Sequence, residues 1–494
     1  MPAPGLAGSN GRARGVAIAV AVWVALTLGL PLVQLGQEAW TVVGPPAPPW
    51  IFVLAGLRAL GLAAAVAVIA SVAAYPVART VSPRLLLVLV LVSPLARALG
   101  VLGLGLAPGV PAVLLAQSAG AIPLAALVLQ LRLRGRARVW LEAAADLGAG
   151  PWRRFWAIEA PLLAPAFALA AGWAALWALG DVTTLELAGG GKVYTLALLL
   201  RDAVLSEANP RRAAAIVAVM LAVAVPCALA IARGLAGLAG EVSGEGPRAG
   251  PGLRALGWLG AGLSALPLLG LVVHLSLRSD GSGGPLLRGL LPRSLGLTLL
   301  CGALAAGLGF TLALLRRRAP GRDAVAALVL LPLAVPPVVY GALMLPAGRL
   351  LGLAPGSALT LLGLLPMRVA LAYAGAVLAV AAVQPEVIDG ARDLGAGAGQ
   401  RLVRVWWPLL APAGLALALV GFAHALAEGS VPAFTAGPGG SILAVGMAIV
   451  ARGGEVDVVP RWALGLSLAP VAVVMISAWA WRPIAASRRR ARGP

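Results

Sequence analysis

The chain has 494 residues; 60% are hydrophobic, only 11% are charged, and the mean hydropathy is +0.95. A soluble domain carries about 25% charged residues, so this composition excludes a water-soluble protein and assigns the chain to the lipid bilayer. The net charge of +20 does not point to nucleic acid, because the arginines punctuate long apolar runs in the manner of topology signals. Lys192 is the single lysine, which reads as base composition rather than as a demand for guanidinium chemistry at so many scattered sites.

In chain order, twelve apolar runs approach the ~20 residues that span a bilayer, which predicts an all-α integral membrane protein. The first six cover 16–36, 51–75, 85–105, 111–131, 162–180 and 211–232, and the second six 257–276, 295–315, 323–346, 360–383, 409–428 and 463–481. The first run follows Arg12 and Arg14 and is too long for a signal-peptide core, so it is expected to remain as a helix. With the N-terminus inside, most arginines fall on the inner side, and both termini are expected in the cytoplasm. Arg211, Arg212, Arg288 and Arg293 fall outside and are exceptions. Cys227 and Cys301 lie within apolar runs and read as small buried hydrophobes, with no metal site or disulfide expected.

The stretch 236–256 is rich in Gly, Pro, Glu and Arg and reads as a cytoplasmic linker. It divides the chain into a first half, 1–235, and a second, 257–494. An internal repeat supports that division. Glu142–Ala166 (EAAADLGAGPWRRFWAIEAPLLAPA) and Asp389–Ala413 (DGARDLGAGAGQRLVRVWWPLLAPA) share thirteen of twenty-five residues without a gap, at a separation of 247 residues. Each copy joins the fourth and fifth helices of its half, on the cytoplasmic side.

The repeated segment resembles the EAA loop of permeases from binding-protein-dependent ABC importers. The matching residues are Glu142, Ala143, Ala144, Gly148, Ile158 and Pro161 in loop 142–161. In loop 389–408 they are Asp389, Gly390, Ala391, Gly395, Val405 and Pro408, with Asp and Gly replacing Glu and Ala at the start. The resemblance implies two homologous six-helix halves of the type I importer permease, fused as in the iron(III) and thiamine importers, in a bacterial inner membrane. It further implies a transport subunit, not an enzyme. Its partners would be a separate ATP-binding cassette subunit, a homodimer holding the ATP and Mg, and an extracytoplasmic solute-binding protein.

The residues support docking in their own right. Glu142 with Asp146, and Asp389 with Asp393, share a helix face at a spacing of four. Ala143 with Leu147 and Ala144 with Gly148 form small apolar rows beside them, and Gly148 and Gly150 should end the helix. Pro161 and Pro408 fit the first turn of the next membrane helix. An interfacial helix with capping acids is the plainer alternative.

No G-x-x-x-x-G-K-[ST] motif occurs. The run Gly189-Gly190-Gly191-Lys192-Val193 lacks the magnesium-binding hydroxyl and reads as a flexible outer loop, so no cofactor is expected on this chain. Arg97, Arg368, His274, His424, Glu428, Tyr340 and Tyr373 are polar groups in or near apolar runs, where a cavity or mutual pairing is the usual reason. Asp181 and Glu428 close corresponding helices and are candidates for an outer gate or a binding-protein contact. Pro332, Pro336 and Pro337 should bend the ninth helix along the pathway. A secondary active transporter built from repeats is the alternative, although no midplane carboxylate pair supports it. Ferric iron or thiamine is the solute that the resemblance suggests.

Overall fold

The computed structural model describes residues 18, 20–41, 49–133, 137–238, 250–277, 285–316, 322–381, 383–437, 442–452 and 458–480. Among these the regular structure is helical throughout, with no strand. Most of the linker, the terminal arginines that set the expected orientation, and Arg317 and Arg318 lie outside the described residues.

The first half contains α1 (Val20–Trp40), α2 (Pro49–Thr80), α3 (Pro83–Val90), α4 (Pro94–Gly103), α5 (Val110–Leu133) and α6 (Ala137–Asp146). It continues with α7 (Pro151–Gly180), α8 (Val182–Leu187), α9 (Leu196–Leu205) and α10 (Pro210–Leu238). The second half contains α11 (Pro251–Leu277), α12 (Pro285–Arg316), α13 (Ala326–Ala334), α14 (Pro337–Leu351), α15 (Ser357–Ala381) and α16 (Pro385–Asp393). It ends with α17 (Ala398–Leu426), α18 (Pro432–Thr435), α19 (Leu443–Arg452) and α20 (Val459–Ala480).

Among the described residues nine helices are long and apolar enough to cross a membrane, or up to eleven if each of two bent pairs counts as one span. The twelfth apolar run corresponds to α20, which is not among those counted. The bent pairs are α3 with α4, at 87°, and α13 with α14, at 104°. Their causes are local. Ser93 accepts a hydrogen bond from the Ala96 N–H at 3.1 Å and Pro94 opens α4, so a new helix starts where the old one ends. Pro336 stands in extended backbone and Pro337 opens α14, which produces the bend that the prolines of the ninth run predict.

Within the first half α7 packs on α10, and within the second α12 packs on α15 and α17, but the halves also interlock. α11 packs on α4 and α2 of the first half as well as on α20 of its own. Correspondingly, α1 packs on α14 of the second half as well as on α10 of its own. Glycine makes the α11 contact possible. A Cβ on Gly100 would lie 1.8 Å from the Pro267 carbonyl oxygen, and one on Gly270 would lie 1.9 Å from that of Gly100. Such backbone contact is how membrane helices gain dispersion energy where lipid supplies no hydrophobic drive. One buried apolar cluster runs through both halves, from Leu28 and Leu35 to Val338 and Leu343.

Candidate functional site

The two repeated loops fold alike. α6 ends at Gly148, whose φ of +77° is the left-handed conformation that glycine enters without strain. The Gly148 N–H donates to Ala145 O at 2.9 Å and the Ala149 N–H to Ala144 O at 2.9 Å, a Schellman cap that satisfies the last helical carbonyls. In the second loop Gly395 has φ +78°, and its N–H donates to Arg392 O at 2.9 Å while the Ala396 N–H donates to Ala391 O at 3.0 Å.

Both caps present the same surface. Glu142, Ala143, Asp146 and Gly148 are exposed with Ala144 half-buried, and Asp389, Gly390, Asp393 and Gly395 are exposed with Ala391 half-buried. At the tips, Leu147 is 87% and Leu394 90% exposed, an uncovered apolar knob on each loop. Asp389 and Arg392 approach to 3.7 Å, but at more than 60% exposure the pair contributes little.

After each cap the chain re-enters a helix sooner than the apolar runs suggest. α7 begins at Pro151 and α17 at Ala398, about ten residues before the expected starts. Each then passes through one π turn, Phe155–Glu159 and Leu402–Trp406. Pro161 and Pro408 follow these turns inside a continuing helix rather than opening one. A proline ring collides with the carbonyl four residues back, and the wider π turn provides the room that ring needs. In the first π turn Glu159 is buried. It accepts hydrogen bonds from the Tyr75 hydroxyl and, at 3.2 Å, from Arg79 Nη1, while Arg79 Nη1 also donates to the Tyr75 oxygen at 2.7 Å.

At the far ends of α7 and α17 lies a cavity of about 90 Å3 shared by both halves. Asp181, Trp173, Trp177 and Thr183 come from one half, and Glu428, His424, Ser430, Met367, Leu333 and Pro337 from the other. Asp181 and Glu428 are 247 residues apart; Asp181 is buried, and the Glu428 side chain is 9% exposed. Asp181 Oδ1 accepts from the Thr184 N–H at 3.1 Å, capping α8. Glu428 accepts from Arg368 Nη2 at 3.2 Å and from the Ser430 N–H at 2.8 Å. Arg97 is held behind the first carboxylate. Its Nη1 donates to Val92 O at 2.7 Å, its guanidinium lies 5.0 Å from the Trp177 ring centre, and its charge bears on Asp181. Gly120 leaves space for it, since a Cβ there would sit 2.4 Å from the guanidinium carbon. The cluster therefore balances two carboxylates with two guanidiniums, as burial at membrane depth requires.

The segments beside the carboxylates cross at close range. Ser430 Oγ donates to Gly180 O at 3.0 Å, a Cβ on Gly180 would meet Pro337 Cδ at 2.5 Å, and one on Gly429 would meet Thr183 Oγ1 at 2.6 Å. The glycine run 189–191 is a packed turn, with the Gly109 N–H bonded to Ala188 O at 2.8 Å and Val193 buried. Nearby, Tyr194 donates to Asp202, which also pairs with Arg201 at 2.6 Å, and Arg201 pairs with Glu186. Burial, and then the bond to Asp202, push the Tyr194 phenol above its ordinary pKa.

The structure thus gathers Asp181, Glu428, His424 and, behind them, Arg97 and Arg368. Tyr340 and Tyr373 instead fill the packed core, and His274 lies at the α4–α11 contact near Gly103. Trp173, Trp177, Thr183 and Ser430 escaped the sequence reading, although a spacing of 247 relates Trp177 to His424 and Thr183 to Ser430. Glu159 and Tyr75 escaped it as well, with no signal beyond a carboxylate in an apolar stretch. Among the described residues no three His, Cys, Asp or Glu side chains gather as metal ligands.

Residues 81–233 match the family model described as binding-protein-dependent transport system inner membrane component. The matched stretch runs from the start of the first bent pair through α9 and most of α10 and contains the first repeated loop. The match covers 153 of the 494 residues and is a similarity of that stretch to such a component. No solved structure matches the chain.

Proposed function

We propose that this chain carries two permease halves, duplicated and fused, of an ATP-driven importer that takes its solute from an extracytoplasmic binding protein. Loops 142–161 and 389–408 seat in the two subunits of a homodimeric ATPase. Leu147 and Leu394 enter apolar pockets there, and Glu142, Asp146, Asp389 and Asp393 meet basic groups at the rim. ATP binding draws the subunits together and the loops with them. α7 and α17 run without a break from those loops to the central cavity, thirty residues or about 45 Å for α7. Movement at the loops therefore reaches Asp181 and Glu428 directly. There the crossed segments 180–183 and 428–431 act as the outer gate, which opens to a docked binding protein and closes as the cavity turns inward.

The observation that carries this reading is the recurrence of one capped, exposed loop at Gly148 and Gly395, the first copy within the family match. Ferric iron or thiamine is the proposed solute.

The test is ATP hydrolysis and solute uptake in proteoliposomes holding the chain, its cassette subunit and the binding protein, with ferric iron, thiamine or neither. Wild type should hydrolyse faster with one solute. Leu147→Asp/Leu394→Asp and Gly148→Trp/Gly395→Trp should insert normally yet lose both the cassette subunit and the stimulation. Uptake by the chain alone, driven by an ion gradient, would overturn the proposal in favour of a secondary transporter.

A further inference from the structure

We infer that Trp177 and His424, at matching places on α7 and α17, are the pair that closes the solute path, and that Arg97 and Arg368 latch it shut; this rests on the importer reading above. The two rings meet edge to face, with centres 6.3 Å apart and planes at 63°, and both line the cavity shared by the two halves. A spacing of 247 relates them, and each stands one helical turn before the carboxylate of its half, Asp181 or Glu428. Both bent pairs converge there. Leu91, Val92 and Pro94 come from the α3–α4 bend, and Leu333, Val335 and Pro337 from the α13–α14 bend. At about 90 Å3 the cavity is far below the ~300 Å3 that encloses a drug-sized solute. Passage therefore requires its walls to part, and the ring pair is a contact that must break when they do.

Each ring is held by one guanidinium. Arg97 lies 5.0 Å from the Trp177 ring centre and donates through Nη1 to Val92 O at 2.7 Å, so it pins the indole to the α3–α4 bend. Arg368 Nη2 donates to His424 O at 3.3 Å and to Glu428 Oε2 at 3.2 Å, which fixes the turn of α17 that carries the imidazole. The closed pair also carries a penalty that a static core avoids. His424 Nδ1 is buried with no hydrogen-bond partner among the described residues. Parting the rings admits water to that nitrogen, so opening recovers part of what breaking the ring contact costs.

The experiment places a second imidazole opposite the first and uses zinc to join them. His274 and His424 are the only histidines in the chain, so Trp177→His adds one facing pair to a low background. Zn2+ takes each imidazole nitrogen at about 2.0 Å, a reach that the present ring separation allows. In the same reconstituted complex, with zinc bound per chain counted, zinc chloride should lower uptake and solute-stimulated hydrolysis of Trp177→His by about tenfold or more. EDTA should restore both. Wild type and Trp177→His/His424→Ala should ignore the metal, a pattern that a packing role alone would not produce. No zinc on Trp177→His, bound zinc with uptake unchanged, or an equal block in either control would overturn the inference while leaving the importer reading intact. If Trp177→His fails to insert or to transport, His424→Ala decides. Passive leak of the solute about fivefold above wild type supports the pair, and a wild-type leak removes it. A wild-type chain that neither binds the cassette subunit nor transports would remove the importer reading itself.

Discussion

Arg368 and Glu428 show what a single residue does at this depth. Arg368 is buried and donates to Leu364 O, His424 O and Glu428, so its removal strands a carboxylate. Arg368→Ala is expected to cost about 3 to 5 kcal/mol, read as a lower melting temperature in detergent. The double variant Arg368→Met/Glu428→Met should recover most of that stability, because no charge is left unpaired. If the double variant melts as low as Arg368→Ala, the pairing is not what stabilises the site. At the two repeated loops the residue-scale device is glycine. Gly148→Ala puts a Cβ into left-handed backbone at a cost of about 1 kcal/mol or more, which should weaken cassette binding about fivefold. Gly150 has φ −63°, and Gly150→Ala should bind as wild type in the same titration. Equal weakening in both would mean that loop flexibility, not the cap, matters.

At the scale of elements, the α7 and α17 π turns link cap to span. Pro161→Ala should let the first π turn close toward regular α geometry. That would rotate the coupling loop against α7, lowering solute transported per ATP without loss of protein. Unchanged coupling would make the turn incidental. The sequence gives away much of this layer and hides the rest for identifiable reasons. Long apolar runs mark most spans, and prolines 332, 336 and 337 mark one bend. The bend at Ser93-Pro94 is hidden because 85–105 is apolar on both sides of it. The start of α7 is hidden because Arg153 and Arg154 interrupt the apolar window although the backbone is already helical. Asp181 and Glu428 are visible through their spacing. Arg97 and Arg368 are visible as charges in apolar runs, but which carboxylate each meets is not, since α4 supplies one and α15 the other, at positions that the repeat does not relate.

At the scale of the molecule, the interlock decides which parts can stand alone. Gly270→Leu would drive a branched side chain into the Gly100 backbone and cost about 3 kcal/mol. Gly262→Leu, with no neighbour near its Cβ, should be tolerated in the same melting experiment. Comparable losses would mean that α11 does not bear on α4 as described.

The same contact bears on how the protein is made. Ribosomes deliver the first half complete before α11 exists, so the groove on α2 and α4 faces lipid, or an insertion chaperone, until the second half arrives. A nascent chain halted after residue 235 is therefore an orphan with an open seat, and the protease that clears such orphans would act as a proofreader of synthesis. Pulse-labelled 1–235 should be degraded rapidly when made alone and spared when 257–494 is made beside it.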